Sequence, residues 1–327
     1  MTLTTPDGMG GFRDIRYAEA TAGARSYGKA LLAAAEVDPR IVCLGADLSQ
    51  PTQTTFFRDA IPERFFMLGI QEANMVGVAG GMARAGDIPF AHSFCVFITR
   101  RVFDQVAMQV AYPKLPVKLV GFIPGLTTEL GVSHQAIDDI ALMRALPNMA
   151  VIEPSGPEQV GAAVVAALTY DGPVYLRLGL ARGAPDEMTP LQDLELGRGA
   201  IVRDGADVAV FTSGAMVGHA LEAAELLAGD GLATTVVNMA SIKPLDSDLV
   251  VRLARSHKVV LTYENHSTIG GLGSAVAEVI ALSGLAPRFG MVGVKDVFAE
   301  GGSTPYLFGK YGLTARDLYR AAKALTI

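Results

Sequence analysis

The chain has 327 residues, of which half are apolar and 18% charged, with 27 Lys and Arg set against 33 Asp and Glu for a net charge of −6. The acidic balance and the lack of a basic block argue against a nucleic-acid partner, and the apolar runs break off within about ten residues, short of the roughly 20 that cross a bilayer. The length points to two domains, and the start, Met1 to Gly11, reads as a tail without a basic-then-apolar leader, so a cytoplasmic protein is expected.

After the tail, β-rich runs alternate with helical stretches: 41–46 (IVCLGA), 64–68, 89–94, 117–122, 149–154 and 174–178. Nearly continuous apolar strands separated by amphipathic helices predict a parallel sheet covered on both faces. The spacing therefore gives an α/β fold whose first unit, 12–190, holds a mainly parallel six-stranded sheet. Past a polar, Pro-containing stretch from Arg182 to Leu196, strands at 208–213, 234–240, 258–264 and 289–294 restart the alternation, with helices near 215–229, 271–283 and 314–325. A second, smaller doubly wound domain over 191–327 is the expectation. Cys43 and Cys95 fall inside apolar runs with no paired metal or disulfide spacing and read as core residues. The abundance of apolar, Gly and Ala residues further predicts large buried interfaces with other subunits.

Three segments could carry chemistry. In 68–82 (LGIQEANMVGVAGGM) a strand ends and Glu72 opens a helix built from small residues. An acidic residue there suits the helix macrodipole with no further role, but Gly77, Gly80 and Gly81 allow a close neighbour that buries the carboxylate, and a buried carboxylate needs a hydrogen-bond partner. Next, Ser93, Phe94 and Phe97 lie at the carboxyl end of a predicted strand, the edge where open α/β sheets bind ligands; two such aromatics are otherwise ordinary core. The third segment, 125–135 (GLTTELGVSHQ), is a Gly-containing loop that delivers Glu129, Ser133, His134 and Gln135. His134 reads either as a loop acid–base group or as a helix cap.

Taken with Arg16-Tyr-Ala, Gly45-Ala-Asp47-Leu48, Glu153-Pro-Ser and Asp171-Gly-Pro, these segments resemble the pyrimidine-binding domain of transketolases, and Asn238 to Leu245 with Tyr263 to Ser274 resemble that family's C-terminal domain. The resemblance runs over nearly the whole chain. It implies a thiamine-diphosphate enzyme that moves a two-carbon ketol unit from a ketose to an aldehyde, the cofactor serving as electron sink. It assigns Glu72 to the aminopyrimidine nitrogen as the activating group, Phe94, Phe97, Asp47 and Leu48 to the cofactor wall, and His134, Glu129, Arg16 and Arg177 to the substrate. The diphosphate and its Mg2+ are held in this family by Gly-Asp-Gly and, roughly thirty residues later, an Asn that serves a hard cation. Gly229-Asp230-Gly231 lacks that Asn and reads as a helix C-terminal turn. No metal ligands are therefore assigned to this chain. A partner, the N-terminal transketolase subunit, is expected to supply the diphosphate site and the Mg2+, with two copies of each chain.

Two decoys and several departures complete the reading. Residues 269–274 (IGGLGS) lack the full dinucleotide spacing, and Glu264 with His266 has no third zinc ligand. Where the family grips a sugar phosphate, this sequence matches Arg16 but holds Pro51, Phe122 and Leu180 at the other three positions, with Arg177 and Arg182 close by; Leu130 replaces an Asp that reads sugar hydroxyls. Losing charge-assisted phosphate contacts points to a non-standard substrate. The beta subunit of a 2-oxo acid dehydrogenase and a catalytically silent partner subunit stand as alternatives.

Overall fold

The computed structural model describes residues 26–179 and 193–326. Twelve strands form two sheets among the described residues. β1 (Ile41–Gly45), β2 (Phe65–Met67), β3 (Ile88–Phe94), β4 (Lys118–Phe122), β5 (Ala150–Ile152) and β6 (Val174–Leu178) are the six expected strands of the first sheet, and all of them pair in parallel. Their order is β5-β6-β4-β3-β1-β2. The second sheet contains β7 (Ala200–Arg203), β8 (Val208–Thr212), β9 (Thr234–Asn238), β11 (Val259–Ser267) and β12 (Arg288–Val294), in the order β12-β11-β8-β9-β7.

Two strands were not legible in the pattern. β7 pairs antiparallel with β9 at the edge of the second sheet. β10 (Ser241–Lys243), which follows β9 in the second half of the chain, crosses over and pairs antiparallel with β5, making the first sheet seven-stranded. Glu153 N–H donates to Ala240 O at 2.8 Å just beyond that pairing. The edge of one domain is thus closed by backbone of the other, which removes an exposed row of amides and carbonyls.

Burial explains the composition. Helices Ser26–Val37, Glu72–Ala85 and Pro157–Thr169 cover the first sheet, whose strands β1, β3, β4, β5 and β6 are buried along their whole length. Fully two-sided burial accounts for apolar runs without alternation. Lys118 is the exception inside one such run: its ammonium donates to Tyr170 O and Gly172 O at 3.1 and 2.8 Å, and burial pushes its pKa down to about 7. Cys43 and Cys95 are free and buried, as expected. In the second domain, helices Met216–Gly229, Leu272–Leu282 and Ala315–Thr326 lie where the pattern predicts them.

Candidate active site

The parallel register brings the chemical segments to one edge. β1 faces β3 with Gly45 opposite His92, β3 faces β4 with Phe94 opposite Phe122, and β2 ends with Met67 opposite Gly45. Asp47, Leu68 to Glu72, Phe94 to Arg101 and the loop of residues 123–138 therefore all leave the first sheet at its carboxyl edge.

Glu72 is the first residue of the Glu72–Ala85 helix and is 3% exposed. Its burial follows from the glycines behind it: a Cβ on Gly80 would lie 2.9 Å from the Gln109 carbonyl oxygen, so only Gly lets the helix sit this close to the turns of residues 106–111. The carboxylate finds its partners on the neighbouring strand end. Ser93 Oγ donates to Oε1 at 3.2 Å, and Arg101 Nη1 donates to Oε2 at 2.9 Å. The Arg101 guanidinium lies over the Phe97 ring, 3.8 Å from its centroid. This placement fixes a planar cation between an aromatic face and a carboxylate.

Phe94, Phe97 and His134 form the adjoining wall. The two phenyl centroids are 6.1 Å apart, and the His134 ring stands 5.0 Å from Phe97 and 6.2 Å from Phe94. Ser133 Oγ lies 2.9 Å from His134 Nδ1. The helix after this loop starts only at Asp139, so His134 does not cap it. A carboxylate with lone pairs left over, beside aromatic rings and an imidazole, fits a flat heteroaromatic ring with a basic nitrogen, such as the aminopyrimidine that the resemblance implies.

Other expected site residues are placed differently. Asp47 and Leu48 follow β1 at the same edge; Asp47 has φ +71° and its amide contacts Met67 Sδ at 2.9 Å. Glu129 is exposed in the loop, next to Leu130, which is 62% exposed. Arg16, Leu180 and Arg182 lie outside the described residues. Phe122 is core, edge-on to Tyr27 at 5.5 Å.

Arg177 requires a correction, because its side chain does not reach toward a substrate. It is 1% exposed, with Nε donating to Asp139 Oδ2 at 2.7 Å, Nη1 to Glu153 Oε1 at 2.5 Å, and Nη2 to the carbonyls of Ala136 and Asn265 at 3.2 and 3.0 Å. A guanidinium so fully engaged between two buried carboxylates is structural. Sequence reasoning also gave Arg101 no role, although its position four residues after Phe97 is a spacing at which a cation and a ring can meet.

Both decoys are explained by the second domain's interior. The Glu264 carboxylate accepts the amides of Leu272 and Gly273 at 2.7 and 2.8 Å, so the helix N-terminus of the Gly-rich segment is already filled by protein; burial nonetheless raises the Glu264 pKa to about 7. His266 is buried 3.8 Å from both Asp139 and Glu264, and burial lowers its pKa to about 4. Asp230 ends the Met216–Gly229 helix, Gly231 has φ +78°, and the carboxylate binds Tyr319 Oη and Lys323 Nζ at 2.6 and 2.9 Å, as a helix-end turn rather than a cation site.

Comparison with known proteins agrees along the chain. The transketolase pyrimidine-binding domain matches residues 20–181 and the transketolase C-terminal domain matches residues 197–318. The 6-deoxy-6-sulfo-D-fructose transketolase subunit of Clostridium sp. strain MSTE9 is 45% identical over 302 residues, covering 92% of this chain and 93% of that protein. A 1-deoxy-D-xylulose-5-phosphate synthase of Symbiobacterium thermophilum is 36% identical across 92% of this chain, which corresponds to only 46% of the longer enzyme. Among solved structures, a split-gene transketolase described as an inactive β4 tetramer superposes with a TM-score of 0.85 at 48% identity, covering 92% of this chain and 97% of that one.

Proposed function

Because the chain belongs to the transketolase family, we propose that it is the C-terminal subunit of a split transketolase, moving a two-carbon ketol unit between sugars at a site shared with a diphosphate-binding partner subunit. The observation that carries this reading is the convergence of the buried Glu72 carboxylate with Phe94, Phe97 and His134 at one sheet edge. Thiamine diphosphate, when bound, supplies the carbon centre that takes up and releases the ketol unit.

Within that reading, Glu72 offers a carboxylate oxygen to the aminopyrimidine nitrogen and holds the proton there. Ser93 and Arg101 fix both oxygens, so the carboxylate cannot rotate away. Phe94 and Phe97 supply the apolar wall that excludes water and strengthens the Glu72 hydrogen bond. His134 presents its free edge to the hydroxyl and carbonyl oxygens of the substrate, where an imidazole can pass a proton in either direction. Arg16, Asp47, Leu48 and Glu129 keep their proposed roles at the cofactor and substrate rim.

The diphosphate and Mg2+ are assigned to the partner, with two copies of each chain in the working assembly. Support comes from the relative described as an inactive tetramer of β chains, and from Met67, Ile70, Leu130 and Val132, apolar side chains exposed in the segments that flank Glu72 and His134. The donor is a ketose whose far end is not read as an ordinary phosphate by this chain. Phe122 in the core and exposed Leu130 replace polar family positions, and the Clostridium relative is named for a sulfonated fructose.

The test mixes the chain with its partner, thiamine diphosphate and Mg2+, over donors that include xylulose 5-phosphate, fructose 6-phosphate and 6-deoxy-6-sulfofructose. Transfer is expected only in the mixture, fastest with the sulfonated donor, and reduced about 10²–10⁴-fold or more in Glu72→Gln. Turnover by the chain alone, or near-full rate in Glu72→Gln, defeats the mechanism; preference for the two phosphorylated sugars defeats the substrate assignment.

A further inference from the structure

The loop that carries His134 is long, running from the end of β4 at Phe122 to the helix at Asp139, and Glu129, Leu130, Val132 and Ser133 are exposed on it. Its legs meet at a neck, where Gly125 N–H donates to Ala136 O at 3.0 Å. The neck is gripped from the other domain. Asn265, on β11, accepts the Leu126 amide at 2.9 Å through Oδ1 and donates through Nδ2 to Pro124 O at 3.2 Å. Its own carbonyl accepts Arg177 Nη2, which also reaches Ala136 O on the opposite leg. Two residues on, Ser267 N–H donates to Ile137 O at 2.8 Å. The fit leaves no slack: with Gly125 at φ +56°, a Cβ on that residue would lie 2.2–2.3 Å from Asn265 atoms.

We propose that the second domain is the template for the substrate loop and that Asn265 is a positioning residue, acting on the reaction only by holding the neck that sets His134 against Phe97. The proposal rests on the reading of His134 as the substrate-side group. An amide suits this task because it offers one acceptor and one donor to a backbone N–H and C=O two residues apart, as a neighbouring strand does.

Two measurements on the full chain test it. Without the partner, Asn265→Ala should speed hydrogen exchange at Gly125 and Leu126 by about tenfold, the scale of one lost hydrogen bond, while amides in β1 and β3 keep wild-type rates. In the reconstituted pair, kcat/KM for the donor should fall about 10–100-fold, as small misplacements of a positioned group do, with thiamine diphosphate affinity unchanged. On a His134→Ala background the same substitution should cost less than about threefold, since residues acting as a unit are not additive. Asn265→Asp keeps the side-chain volume and the oxygen facing Leu126 but turns a second acceptor toward Pro124 O, so it decides the matter if the alanine variant does not fold; exchange at Gly125 and Leu126 should again rise while β1 and β3 keep wild-type rates. Wild-type exchange in these variants, or an equal penalty with and without His134, overturns the proposal. A wild-type pair that transfers no ketol unit sinks the functional reading instead, and the exchange comparison still decides whether Asn265 holds the loop.

Discussion

Arg177 sits in the interior because Asp139 and Glu153 meet it there, and each carboxylate has further donors of its own: Tyr175 Oη at 2.6 Å on Asp139, and Ser213 Oγ at 2.5 Å on Glu153. Removing the cation leaves two buried carboxylates uncompensated. Arg177→Met is expected to cost about 3–5 kcal/mol in urea unfolding, and Arg177→Lys should rescue little of it, since an ammonium cannot reproduce a fork of donors aimed at five acceptor atoms. His92 offers a pH test. Its Nε2 lies 2.7 Å from Tyr27 Oη and its Nδ1 2.9 Å from Leu44 O, an arrangement met by a neutral ring that accepts at one nitrogen and donates at the other. Burial lowers its pKa to about 4, from 6.5 in the unfolded chain. The native state then binds fewer protons than the unfolded state between those values, so His92 contributes a stability that is present above pH 6.5 and lost as pH falls toward 4. In His92→Gln the pH dependence of stability across that window should flatten by the equivalent of about one proton; an unchanged slope contradicts the neutral assignment.

At the scale of elements, the helix that begins with Glu72 joins two opposite uses of glycine. Gly80 is buried against the Gln109 carbonyl, whereas Gly81 is exposed with open space where a Cβ would go. Gly80→Val should therefore force the 106–111 turns outward and destabilise the chain by about 1–3 kcal/mol. Gly81→Ala should stabilise the isolated chain by about 0.5–1 kcal/mol through helix propensity alone. Denaturation curves of the two variants check both signs. The parallel strands and the helices Met216–Gly229, Leu272–Leu282 and Ala315–Thr326 were readable because two-sided burial and helical periodicity leave local marks on sequence. β7 and β10 were not: both are short antiparallel edge strands, and the pairing of β10 with β5 is set by where the second domain docks.

For the whole molecule, the two sheets are joined by backbone and side-chain hydrogen bonds. β10 closes the edge of the first sheet, Ser213 of the second domain donates to Glu153 of the first, and Lys243 Nζ donates to Arg144 O and Leu146 O at 2.9 and 2.5 Å. These joints are buried or half-buried, so separating the domains would expose unpaired charges and backbone groups. Scanning calorimetry of the chain should show a single transition whose calorimetric and van't Hoff enthalpies agree; two resolved transitions would mean that the domains melt independently.

By itself the sequence determined the parallel strands of the two α/β sheets, the carboxyl-edge placement of Glu72, Phe94, Phe97 and His134, and the family to which they belong. Each of these leaves a local trace in apolar runs, glycine spacing or motif order. Tertiary structure decided which charges face inward. Arg177 and Arg101 look alike in sequence, yet one lies in the interior between Asp139 and Glu153, and the other, half exposed, is held to Glu72 over Phe97. It also decided that Asn265, 139 residues from Leu126, grips the neck of the His134 loop. No local pattern encodes such contacts, because the electrostatics of a side chain depend on what the distant chain brings within hydrogen-bond reach, and that is set only when the domains pack.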